Sequence, residues 1–200
     1  MIPKYLIAAA GAVALALGTP AVIAQDKGSQ DKSKQASAKK GSSLSKEDQL
    51  FVKHMGAADM AEVEAGKIAS QKASNPEVKK YAEKMVQEHT KMLEEGKQLA
   101  QKKGITEPPQ VDSKHRENLK DLQAKSGDDF DREYITQMVQ DHEGALNLVQ
   151  KAAKEAKDPD LKAHAQKGEP HIKAHLAEAR KLRETLNASA GGTAKRSDKK

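Results

Sequence analysis

Apolar residues recur at a 4-3 spacing through four segments of the chain, the spacing of helices packed along a bundle seam. The first stripe is Phe51, Met55, Ala58, Glu62, Ala65 and Ala69, and the second is Val78, Ala82, Met85, His89, Met92, Gly96 and Leu99. The third is Tyr134, Met138, Asp141, Ala145, Leu148 and Ala152, with Ile135, Val139, His142, Leu146 and Val149 alongside. The fourth is Leu161, Ala165, Gly168, Ile172, His175, Ala179, Leu182 and Leu186. Many of these positions are Ala or Gly, so the helices approach closely or leave room between them.

Capping residues predict where the helices begin and end. Ser45 with Asp48 three residues on opens the first, which runs to about Ser74. Asn75-Pro76 supplies an N-cap and a first-turn proline, so the second helix starts at once. It ends at Gly104, before Pro108-Pro109. The third helix starts around Asp128 to Phe130 and ends near Lys157, and Asp158-Pro159 repeats the cap and opens the fourth. Residues 105–127 make a long connection whose middle, Ser113 to Ala124, reads as helical.

The two halves repeat each other at an offset of 83 residues. Phe51, Val52 and Met55 return as Tyr134, Ile135 and Met138, and Asn75-Pro76 returns as Asp158-Pro159. Two helical hairpins that must each bury one face predict an all-α fold. It is a ferritin-like four-helix bundle of two repeated hairpins, with a long, partly helical connection between the second and third helices.

The bundle is expected over residues 45–187. Before it, Lys4, the apolar run Leu6 to Leu17 and Val22-Ile23-Ala24 form an export signal with cleavage expected after Ala24. The protein is therefore expected in the periplasm or secreted. Residues 25–44 read as a disordered linker and residues 188–200 as a disordered basic tail. The net charge is +6, and losing Lys4 with the signal leaves +5, much of it in these two segments. They are suited to weak contact with anionic envelope surfaces. Aromatic residues are only 2% of the chain and Trp is absent, which leaves no base-stacking platform, and no nucleic-acid partner is expected. With no cysteine, disulfides and thiolate metal sites are excluded. A homo-oligomer stays open.

Each stripe carries one titratable residue, and their heights agree. Glu62 lies 13 residues before Asn75 and His89 lies 14 after it; Asp141 lies 17 before Asp158 and His175 lies 17 after it. All four fall within roughly 4 to 5 Å of the bundle midplane at 1.5 Å per residue. Buried carboxylates and imidazoles pair with each other or bind a cation, because leaving them alone costs several kcal/mol. Glu62, His89, Asp141 and His175 are thus candidate ligands for a divalent metal such as Zn, Mn or Fe; Cu also suits imidazole. His142, beside Asp141, and His171, one turn before His175, are secondary candidates. Pro170 and Gly168 predict a kink just before this pair. No Glu-x-x-His occurs, which argues against a standard di-iron carboxylate centre, and no catalytic residue stands out: there is no nucleophile elbow, P-loop or dinucleotide fingerprint.

Phe51-x-x-x-Met55 with Glu62, Asn75-Pro76-Glu77-Val78-Lys79, and the strings Met85-Val86-Gln87-Glu88-His89 and Met138-Val139-Gln140-Asp141-His142 resemble the exported bacterial family of domain of unknown function 4142. So does His171-x-x-x-His175-Leu176. The resemblance implies a ferritin-like helical fold, an envelope or secreted location and no established activity. Three functions fit: a metal-binding and stress-related bundle, a structural or interaction module with a metal-free polar core, and a binder of small ligands in space left by Ala and Gly.

Overall fold

The computed structural model of the protein describes residues 44–197, with side chains as far as Ser189. The expected signal peptide, nearly all of the linker and the last residues of the tail lie outside the described residues. Within them there are five helices and no strand: α1 (Lys46–Lys72), α2 (Pro76–Lys102), α3 (Ser113–Ala124), α4 (Gly127–Glu155) and α5 (Pro159–Ser197).

The helices begin where side chains satisfy their free N–H groups. Ser45 accepts from the backbone N–H of Asp48, Asn75 from those of Glu77 and Val78, and Asp112 from that of His115. Asp158 does the same for Asp160 and Leu161 at the start of α5. Gly104 takes a positive φ of 77° after α2, a conformation that suits a residue without a Cβ. At the other end of the domain, α5 continues to Ser197. The basic segment expected to be disordered is therefore helical as far as Ser197, an outcome its Gly191-Gly192 pair does not announce. The apolar stripe nevertheless stops at Leu186, the last buried residue described. Helix α5 also runs through Pro170 without interruption.

Helix α1 packs on α2, and α4 on α5; α1 also meets α4, and α2 meets α5. Side chains tie the ends together. Asp131, in the first turn of α4, accepts from the backbone N–H groups of Ser74 (3.1 Å) and Asn75 (2.7 Å) in the α1–α2 turn. Lys103, just after α2, reaches Asp158 (2.6 Å) and Asp160 (2.7 Å) at the α4–α5 turn. The two turns thus lie at opposite ends, and α1 runs antiparallel to α4. The connection must travel the length of the helices. It does so along α1: Glu107 pairs with Lys53 near the start of that helix, and the carbonyl of Gln123 accepts from Lys72 at its end.

Two apolar clusters fill the interior. Tyr81, Met85, Leu122, Phe130, Tyr134, Ile135 and Met138 dominate the one near the α1–α2 turn. Phe51, Val149, Leu161, Ala165 and Ile172 form the other. Small residues let α1 and α2 close up: a Cβ on Gly66 would stand 2.8 Å from Val86 Cγ2 and 3.1 Å from the carbonyl of Ala82. Gly66→Val is therefore expected to destabilise the protein by about 1 to 3 kcal/mol through overpacking. Urea denaturation should show a lower midpoint at unchanged slope, and an unchanged midpoint would mean that the helices can separate at no cost.

Candidate metal centre

Between the two apolar clusters lies a buried polar layer. Helix α1 contributes Asp59 and Glu62, α2 contributes His89, α4 contributes His142 and α5 contributes His175. Each sits on the inward arc of its helix, because the flanking turns carry the core: Ala61 and Ala65 beside Glu62, Met85 before His89, Met138 and Ala145 about His142, Ile172 and Ala179 about His175.

Hydrogen bonds fix the proton positions of the three rings. His89 Nδ1 faces two carboxylates, Glu62 Oε2 at 2.7 Å and Asp59 Oδ1 at 2.9 Å, so Nδ1 carries the hydrogen. His142 Nδ1 lies 2.8 Å from the carbonyl of Met138, which can only accept, and 3.4 Å from Glu62 Oε1. His175 Nε2 donates to Glu88 Oε2 at 2.7 Å. Two of the remaining nitrogens turn toward each other. His142 Nε2 and His175 Nδ1 are 3.3 Å apart, and His89 Nε2, fully buried, has no hydrogen-bond partner among the described residues. The three rings form a near-equilateral triangle with centroids 5.1, 5.3 and 5.4 Å apart. One nitrogen from each can lie within 4.8 Å of the others.

With neutral rings, His142 and His175 oppose two lone pairs at hydrogen-bond distance, which is repulsive unless something positive lies between them. A proton on one ring or a cation among all three resolves it. The spacing suits a cation: two imidazole nitrogens on a tetrahedral zinc-type ion, at about 2.0 to 2.1 Å each, stand roughly 3.3 Å apart. Asp59, Glu62, Glu88 and the Met138 carbonyl hold the outer nitrogens, as the partners of metal-bound imidazoles do.

The electrostatics divide the layer. Burial pushes Glu62 up, but the facing His142 and His89 outweigh it and bring its carboxyl down to about 2. Burial likewise pushes His89 down, and Glu62 together with the Asp59 contact reverses this, raising it to about 10. Asp59 stays raised, since burial exceeds what His89 returns. His175 is lowered to about 4, mainly by burial, against the opposing pull of Glu88. Its ring is neutral near pH 7 and free to ligate.

Of the residues singled out from the sequence, Glu62, His89 and His175 meet in this layer, and His142 joins them. Asp141 does not. Its carboxylate turns toward α3, 3.8 Å from Lys114 Nζ, because the buried arc of α4 runs through Met138, His142 and Ala145, one position around from it. His171 is exposed and reaches the layer only through Glu88, at 3.8 Å. Asp59 and Glu88 were missed. Asp59 had a readable signal, since it lies one turn before Glu62 on the same face. Glu88, partly exposed beside His89, had none.

The family model described as "Domain of unknown function (DUF4142)" matches residues 31–182, and the chain belongs to that family. No curated protein matches it. Three solved structures share the helical fold. A DUF305 fragment from Deinococcus radiodurans is 12% identical with a TM-score of 0.62, over 72% of this chain and 98% of its own. A DUF305 protein from Streptomyces coelicolor, described as secreted, is 15% identical with a TM-score of 0.60, over 70% and 94%. CopM in its Cu(I)-bound form is 22% identical with a TM-score of 0.60, over 69% and 96%. These likenesses speak for the fold.

The layer makes the stability of the metal-free protein depend on pH in both directions. His89 is raised from 6.5 to about 10, so its contribution is complete below 6.5 and is lost as the pH rises to 10. His175 is lowered from 6.5 to about 4, so its protonation in the unfolded chain weakens the fold as the pH falls through that window. Glu62, lowered from 4.5 to about 2, adds a further loss below 4.5. In EDTA, the melting temperature should peak around pH 6.5 and fall on both sides, and His89→Leu should flatten the alkaline side. A wild type with no alkaline decline would show that His89 is not held charged.

Proposed function

We propose that this member of the DUF4142 family is an exported protein that holds one transition-metal ion between His89, His142 and His175, on a ferritin-like four-helix bundle of two hairpins. The observation that carries this reading is the convergence of three ring nitrogens whose opposite nitrogens are each tied to an acceptor. Charge supports it as well. Asp59 and Glu62 place two buried carboxylates against one His89 proton, and exchanging that proton for a divalent ion leaves the layer neutral.

An all-imidazole donor set favours copper or zinc over manganese, which prefers oxygen ligands. The copper-bound forms of CopM, a protein of the same fold, agree with that preference. Export is supported by the N-terminal signal pattern and by the secreted description of the Streptomyces coelicolor neighbour. No described helix is long and apolar enough to cross a membrane. The two cavities beside α1 and α2 are lined by none of the three histidines, which favours a holding site over one where a substrate turns over.

The apo protein should take up one equivalent of Cu²⁺ or Zn²⁺, and at a hundredfold excess over Kd gain about 2.7 kcal/mol of stability. Affinity should rise with pH as the His89 proton becomes easier to displace. His142→Ala should abolish stoichiometric binding, whereas Asp141→Asn should leave it intact, which separates this centre from one built on Asp141. If melting is indifferent to both metals and to EDTA, the layer is a structural polar core. In that case joint replacement of Asp59 by Leu, Glu62 by Met and His89 by Leu should recover much of the stability that His89→Leu alone removes, because no buried carboxylate is then left without its partner.

A further inference from the structure

The proposed site is enclosed, yet one carboxylate oxygen connects it with solvent. Glu88 Oε2 lies 2.7 Å from Nε2 of His175, whose side chain is fully buried, and 3.8 Å from Nδ1 of His171, whose side chain is 56% exposed. Both His171 and Glu88 line a cavity of about 370 Å³ between α1, α2 and α5. Asp59, on the His89 side of the layer, lines the same cavity. This cavity therefore meets the polar layer at two carboxylates, Asp59 and Glu88, and at none of the three rings. Acidic residues outnumber lysines along its wall, with Asp59, Glu88 and Glu95 against Lys91 and Lys167, and Glu95 already holds Lys167 at 2.8 Å.

We propose that this cavity is the loading route of the metal centre, with His171 and Glu88 forming an outer station that captures the cation and passes it to His175. This rests on the reading of the three-histidine site given above. His171 and Glu88 offer one nitrogen and one oxygen to an ion arriving from solvent, too few to hold it long. Glu88 is about one-third exposed, so its side chain has room to move. His175 donates from Nε2 to Glu88 and turns its unprotonated Nδ1 toward His142; when Glu88 swings out to the ion it releases that N–H, and a turn of the freed ring presents Nδ1 to the incoming cation.

Two variants test the route. His171→Ala removes the outer imidazole. Gly168→Leu narrows the cavity without strain on the helix, because a Cβ at Gly168 would meet no atom within 4 Å. Uptake of Co²⁺ by the stripped full-length protein is followed by stopped-flow visible absorbance, and affinity by competition with a chelator. Both variants should load on the order of tenfold more slowly, with release slowed in step and Kd within about threefold of wild type, and neither should melt below wild type, Gly168→Leu melting somewhat higher because it replaces a helical glycine. Loading at the wild-type rate by either variant overturns the route while leaving the site standing. A loss of affinity in His171→Ala as large as in His142→Ala also overturns it, since His171 would then be a ligand of the final site. A wild type that takes up no Co²⁺, Zn²⁺ or Cu²⁺ overturns both the site and its route.

Discussion

The middle of this protein depends on the clasp of Asp59 and Glu62 around one nitrogen of His89. Three ionisable groups are buried there, and each would cost several kcal/mol if left alone. Together they fix the rotation of the His89 ring, which leaves its other nitrogen buried and without a hydrogen-bond partner, the ring lying 5.4 and 5.1 Å from those of His142 and His175. The same clasp sets the register of α1 against α2, because a slip of one residue would carry both carboxylates away from the ring.

The apolar parts of the fold serve this arrangement by bringing the backbones close. Gly66 and the alanines of α1 permit an approach that larger residues would prevent. Tyr81, Phe130 and Tyr134 fill the wider space on one side of the polar layer. On the other side the second half of α2 is less deeply buried: Met92, Gly96 and Leu99 are only partly covered, and both cavities open beside them. Tight packing near the α1–α2 turn and looser packing away from it thus follow from where the large residues are placed.

Helix ends were legible in the sequence because a cap is local: Ser45, Asn75 and Asp158 act on N–H groups two or three residues on. The links between distant ends were not. Nothing near Asp131 announces that it accepts from the backbone of Ser74 and Asn75, and Lys103 gives no hint of Asp158 and Asp160. The site was legible in the same uneven way. Counting from the turns placed Glu62, His89 and His175 at one height, but height says little about rotation. A single residue turns a helix by roughly 100°, which is the whole difference between Asp141 facing α3 and His142 facing the centre. Asp59 lies beside Ala58, outside the 4-3 stripe of α1, so the stripe alone does not point to it. The length of α5 beyond Leu186 also escaped the stripes, since no large apolar residue follows Leu186 to mark the helix.

The internal repeat carries one more consequence. At the 83-residue offset, Asp59 aligns with His142, Glu88 with His171, and Met92 with His175. At two of these three positions the first hairpin carries an acid where the second carries a histidine. Asp59 and Glu62 are met by His89 within the first hairpin, whereas His142 and His175 take their acidic partners, Glu62 and Glu88, from across the bundle. Two copies of the second hairpin would oppose imidazole to imidazole with neither acid at hand, so the chain is in effect a heterodimer of its own unlike halves joined by a strap. Any exchange of hairpins between molecules would obey the same rule of unlike partners.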